Sequence, residues 1–144
     1  MRVSVKDFLF KNKFKRITIL SYIYSAFYRM QIKFIKPAKL KHHWGTENME
    51  SPEDETRENY KYAFQVSQNV SRVCYKTRWE SKCLVRALTA QKLLTQKGIH
   101  STMYLGVNHA DGKMTAHAWL RVGKYIITGG DVYRDYTVVD KFYK

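Results

Sequence analysis

The hydrophobic pattern of the chain changes period at Gly98, and that switch constrains the fold more than any other feature. Ahead of it, Ala63, Val66, Val70, Val73 and Cys74 follow a 3.6-residue spacing, as do Leu84, Ala87, Leu88 and Leu94. Such spacing gathers apolar side chains on one helical face. Beyond Gly98, Met103, Leu105 and Val107 alternate at a period of two, which lines one face of a half-buried strand. Asp111-Gly112 and Gly123-Lys124 punctuate the pattern as tight turns, bounding strands at Thr115–Val122 and Tyr125–Thr128. Gly129-Gly130 closes the last of these, Asp131 follows at once, and a late strand is expected over Tyr136–Val139. The order predicts an α+β fold, N-terminal helices followed by an antiparallel β-meander.

Ser51-Pro52-Glu53-Asp54 reads as the start of the first of those two helices, with a capping hydroxyl, a tolerated proline and acids at the positive helix end. The second is expected to begin near Ser81 and to stop at Gly98, a suitable C-terminal cap. Residues 1–50 form a basic helical arm and linker, in which Ile17, Leu20, Ile23, Tyr24 and Phe27 recur at helical spacing and Pro37 ends the helix. Residues 51–144 hold the core, and the whole is expected to make one compact domain. The uncharged stretch Ile17–Tyr28 superficially resembles a secretory signal. It lacks a small-residue cleavage site, and it is too short for a membrane span of ~20 apolar residues.

Composition narrows the function only broadly. At 44% hydrophobic residues the chain can bury a core, which argues against wholesale disorder. A formal charge of +14 predicts attraction to something anionic, whether nucleic acid, a membrane surface or an acidic peptide. The two cysteines, Cys74 and Cys83, have the spacing of neither a zinc site nor a redox pair. A reducing cytoplasm is the natural setting, and no metal or organic cofactor is expected.

Three residues carry the candidate chemistry. Cys83 falls in the first turn of the second helix, where unpaired N–H groups and the positive dipole end favour a thiolate and can hold an oxyanion. His117 lies mid-strand in Ala116-His117-Ala118-Trp119, sharing a face with Trp119. Asp131 begins the segment after the following strand, so a hairpin can bring a carboxylate toward the imidazole. Nucleophile, base and orienting acid are the three parts such a triad needs. Each residue alone has a plainer reading. A helical cysteine is usually a small buried hydrophobe, and Cys74 is read that way. A strand histidine is commonly a packed core residue, and an aspartate after two glycines a turn residue. His42-His43 reads as solvated surface, and His100 and His109 are given no role.

Taken together, Cys83-Leu84-Val85-Arg86-Ala87-Leu88, Gly98-Ile99 and Ala116-His117-Ala118-Trp119-Leu120 resemble the transglutaminase-like cysteine peptidases of lasso-peptide biosynthesis. These bacterial enzymes remove the leader from a ribosomal precursor peptide. The resemblance runs from about Trp79 to Asp131. It implies a transglutaminase-like or papain-like core with Cys83 as nucleophile, His117 as general base and acid, and Asp131 as orienter. Trp79 and Trp119 would then support the oxyanion or wall the cleft. The usual H-A-W-V-E of the family is His117-Ala118-Trp119-Leu120-Arg121 here, which bears on substrate contact. The first half shows no run of strands of the kind a fused leader-recognition domain needs. The resemblance therefore implies the standalone peptidase of a split system, working with a separate small leader-recognition protein and a downstream lasso cyclase.

Two rival functions stay open at this point. A transglutaminase or acyltransferase of the same superfamily would use the same triad. A non-catalytic basic nucleic-acid-binding domain would suit the charge, although no helix-turn-helix, ribonucleoprotein or zinc pattern is present and nucleic acid is not expected as a partner. In the basic arm, Phe8, Phe10, Phe14, Tyr22 and Tyr24 interleave with the positive charges. That mixture suits partner docking or peripheral contact at the inner face of a membrane.

Overall fold

The computed structural model describes residues 15–77 and 82–144. Helix α1 (Lys15–Phe34) ends ahead of Pro37. Helix α2 (Pro37–Leu40) and a 3-10 turn (Lys41–His43) then lead to the two-residue strand β1 (Thr46–Glu47). Helices α3 (Arg57–Lys76) and α4 (Cys83–Gln96) follow. The rest is strand β2 (Thr102–Ala110), β3 (Lys113–Val122), β4 (Tyr125–Thr128), a 3-10 turn (Tyr133–Asp135) and β5 (Thr137–Tyr143). The fold is α+β, helices first and an antiparallel sheet after, as the change of period predicts.

The sheet runs β1-β5-β2-β3-β4 with every pair antiparallel. Strands β2, β3 and β4 form the expected meander. The late strand is longer than Tyr136–Val139 and returns to the far side of β2, so β2 becomes the central strand. Met103 consequently opposes Leu120 on one side and Phe142 on the other. Burial explains the return: Phe142 is fully buried and meets Trp44 edge-on, with ring centroids 5.5 Å apart. Asp111 and Gly112 have φ of 54° and 72°, the left-handed pair that a two-residue hairpin turn requires.

Helix α4 packs against β3 and β4 on one side and against α1 and α3 on another. It closes with the hydrogen-bond pattern of a Schellman motif, Ile99 N–H donating to the Leu94 carbonyl, around Gly98 at φ 70°. Along β3, Ala118, Leu120 and Val122 join the apolar core with Leu88 and Leu94 of α4. Strand alternation turns His117, Trp119 and Arg121 to the opposite face. There the register sets Gly106 against His117, Tyr104 against Trp119 and Thr102 against Arg121. Cys74 is buried in the core, as its helical position suggests.

Two expectations about helices are corrected. The first core helix starts at Arg57, not at Ser51. Ser51 is buried, and its N–H donates to Thr102 Oγ1 at 2.7 Å, so this residue is committed to the sheet. Thr56 is the cap instead, its hydroxyl accepting the Asn59 N–H at 3.2 Å. In α1 the expected apolar stripe divides. Ile17, Leu20 and Tyr24 pack inward, while Ile23 and Phe27 are exposed. Small polar residues, Thr18, Ser21 and Ser25, are buried in their place, and Thr18 Oγ1 donates to Asn69 Oδ1 of α3 at 3.1 Å.

Candidate active site

Cys83 is the first residue of α4. The Arg86 N–H donates to the Lys82 carbonyl at 3.1 Å, which makes Lys82 the cap. A lysine has no side-chain oxygen to offer, and no cap hydrogen bond and no first-turn acid are present. The positive end of the helix is thus left uncompensated by its own side chains, beside a half-buried thiol. The expected start near Ser81, and Trp79 with it, lie outside the described residues.

His117 is half-buried in β3, its ring bracketed by two aromatics on the same sheet face. Trp119 stacks on it at 5.8 Å between centroids and 22° between planes, and Tyr136 lies at 5.1 Å and 34°. The Nε2 atom is 2.9 Å from the carbonyl oxygen of Gly129. A carbonyl can only accept, so Nε2 carries the hydrogen and Nδ1 keeps its lone pair in the neutral ring. Gly129 is at φ 70°, and a Cβ there would stand 2.8 Å from His117 Nε2 and 2.7 Å from the Ala118 oxygen. Only glycine lets the main chain approach the imidazole so closely.

Asp131 follows two residues later and is exposed. Among the described residues no hydrogen bond joins its carboxylate to His117, and none joins the Cys83 thiol to His117. The fold therefore brings His117 together with Gly129, Trp119 and Tyr136. Cys83 opens the helix that packs on the neighbouring strands, and Asp131 leads out of the turn that holds the ring.

Trp119 is 3% exposed although it points away from the helix-covered face. Tyr104 stacks on it at 5.6 Å and Tyr133 tilts over it at 6.0 Å. Gly106 makes the room: a Cβ at that position would meet Trp119 Cη2 at 2.7 Å and Tyr136 Cβ at 2.9 Å. Reading the sequence for chemistry passes over Gly106, Tyr136 and the Gly129 carbonyl. One signal was present, since a glycine inside a strand between Leu105 and Val107 marks a bulge or a close approach. The pairing of β2 with β5 indeed shifts register between Leu105 and Gly106. Beside these rings runs a groove of about 420 Å³, lined by Tyr104, Trp119, Tyr133, Arg134, Tyr136 and Val138 among others.

Arg121 is occupied structurally. Its guanidinium donates to the Ser51 carbonyl at 2.9 Å, the Gly123 carbonyl at 2.5 Å and the Tyr104 hydroxyl at 3.0 Å. Tyr104 in turn donates to Glu50 Oε1 at 2.5 Å. That hydrogen bond, with Lys141 and Arg121 nearby, holds the Glu50 carboxyl below the usual glutamate value. The network ties the Ser51 segment to the sheet. Among the described residues no three His, Cys, Asp or Glu side chains are grouped to hold a metal.

A cysteine opening the central helix, a histidine in the adjacent strand and an antiparallel sheet beneath are the layout of the papain-like and transglutaminase-like class of folds. A family model described as the Transglutaminase-like superfamily matches residues 36–141. The chain belongs to the transglutaminase-like superfamily, whose members are typically cysteine peptidases or acyltransferases. No curated protein and no solved structure matches it.

Proposed function

We propose that the protein is a cysteine peptidase that removes the leader from a ribosomally made lasso-type precursor peptide. Cys83 is the nucleophile, His117 the base and acid, and Asp131 the orienter. The observation that carries this reading is the contact of His117 Nε2 with the Gly129 carbonyl, which leaves Nδ1 available as a base. Both motifs of the resemblance, Cys83–Leu88 and His117–Leu120, fall within the span of the family match.

This mechanism requires the start of α4 to bring the Cys83 thiol within reach of His117 Nδ1. The imidazole then takes the thiol proton, and the sulfur attacks the carbonyl at the leader–core junction. An S–C bond forms, and the N–H groups at the start of α4 receive the oxyanion. The imidazolium then gives its proton to the leaving amine as the C–N bond breaks, freeing the core peptide. Water, deprotonated by His117, adds to the thioester. The C–S bond breaks and the leader leaves as a carboxylate. Asp131, two residues beyond the carbonyl that holds the ring, stabilises the imidazolium. A separate small recognition protein presents the leader, and the freed core passes to the lasso cyclase.

Mass spectrometry of a lasso-type precursor, incubated with this protein and a leader-recognition partner, tests the reading. A single cut that frees the leader, lost in Cys83→Ala, is expected. Absence of cleavage with the wild type, when the partner is shown to bind the leader, would remove the peptidase assignment. A leader recovered as an amide of an added amine would make the enzyme an acyltransferase of the same superfamily.

A further inference from the structure

Helix α1 carries large apolar side chains on its outer face as well as its inner one. The face it turns inward includes Thr18, Ser21 and Ser25, all buried. The face it turns outward carries Ile19, Ile23, Phe27, Met30 and Phe34, from 42% exposed at Ile19 to 73% at Phe34. Their spacings of four, four, three and four residues set them in one line. At 1.5 Å per residue the line runs roughly 22 Å. Ile17, Leu20, Tyr24, Tyr28 and Ile32 already supply the apolar packing of α1 on the core. The five outer hydrophobes are therefore surplus to folding and, as one exposed apolar line, mark a contact surface.

The charges around that line point to its occupant. Arg16 stands one turn before Ile19, exposed Lys33 flanks the far end with its ammonium 5.5 Å from the Phe34 ring, and exposed Lys36 and Lys39 follow. No aspartate or glutamate occurs between Lys15 and Thr46, in a chain of formal charge +14. A second copy is a poor partner, because antiparallel pairing along the line would set Arg16 against Lys33 and bring two strongly cationic chains together. An unbroken apolar ridge with long cationic side chains at its ends and no hydrogen-bonding group within it is the chemistry of a helix lying in a lipid interface. Among the described residues no helix is long and apolar enough to cross a membrane.

We infer that α1 docks the protein flat on an anionic membrane surface through Ile19, Ile23, Phe27, Met30 and Phe34. The groove beside His117 lies on the sheet face turned away from α4, whereas α1 packs on α3 and α4. A docked molecule therefore keeps that groove toward the aqueous side. This inference is independent of the peptidase reading.

Flotation of the full chain with vesicles tests it. Phosphatidylcholine vesicles containing phosphatidylglycerol should carry the protein upward, and phosphatidylcholine alone should not. Ile23→Ser with Phe27→Ser keeps the net charge and alters only exposed residues; it should weaken binding by at least about tenfold. Phe27→Trp supplies a second readout on a folded protein, with an emission blue shift on adding the anionic vesicles. Binding that the serine variant retains in full would assign attraction to net charge alone and overturn the docking face. So would a failure to float with either vesicle, or a dimer in solution that the serine variant dissolves. Stripe-dependent binding to the leader-recognition protein without vesicle binding would hand the face to a protein partner and equally overturn it.

Discussion

Gly106 lies beneath the rim of the Trp119 indole, and a methyl group at that glycine would stand 2.7 Å from Cη2 and 2.8 Å from Cζ3. The same methyl would meet Tyr136 Cβ at 2.9 Å. Both rings pack on His117. Gly106→Ala is therefore expected to displace the two side chains that bracket the imidazole. Overpacking of this kind costs about 1–3 kcal/mol, readable as a lower urea midpoint. Activity in the precursor-cleavage assay should fall even under conditions where the variant is fully folded. Unchanged activity in the folded variant would show that Trp119 and Tyr136 do not set the ring's position.

Gly129→Ala and Asp131→Asn separate two ways of orienting His117. The alanine methyl would stand 2.8 Å from Nε2 at a backbone φ of 70°, so the ring must leave the carbonyl and activity should be nearly abolished. The asparagine variant keeps that carbonyl, and with it the Nε2–H tautomer. Its loss of kcat should stay well short of the ~10⁴-fold fall expected where a carboxylate alone fixes the tautomer. Nitrogen-15 chemical shifts of His117 check the premise, with the neutral ring in the Nε2–H tautomer in both wild type and Asp131→Asn.

Arg121→Glu is expected to destabilise the protein. It removes donors to the Ser51 and Gly123 carbonyls and to the Tyr104 hydroxyl, and hydrogen bonds from a charged donor contribute about 1.5–3 kcal/mol each. It also sets an acid near Glu50. The pH dependence follows from the same network. The Tyr104 hydrogen bond holds the folded-state value of Glu50 below the ordinary 4.5. Such a group contributes stability above its unfolded value, and that contribution is lost as pH falls through the lower folded value. Acid denaturation of the wild type should therefore steepen below about pH 4.5, and Glu50→Gln should flatten that part of the curve while lowering stability at pH 7.

Much of the local structure around the candidate residues was legible in the sequence. The opening of a helix at Cys83, the strand position of His117 beside Trp119, and the turns at Asp111-Gly112 and Gly123-Lys124 each rest on a few consecutive residues. The acceptor for His117 was not legible, because a main-chain carbonyl has no residue type to announce it. Arg121 showed only as a departure from a motif, since its partners lie at Ser51 and Tyr104 and become neighbours only in the folded sheet. Ser51 misled for the same reason: its capping chemistry is genuine, yet Thr102 claims it first.

The sequence by itself determined the element types and their order, because periodicity and turn chemistry act over spans of a few residues. It also determined which side chains carry reactive groups. Only the tertiary structure decided that β5 returns to make β2 central, that the Gly129 carbonyl meets His117 Nε2, and that α1 buries its serines beside Ile17 while Ile19, Ile23, Phe27 and Phe34 face outward. Those outcomes depend on competition among distant residues for the same contacts, and burial is settled only when all the competitors are in place.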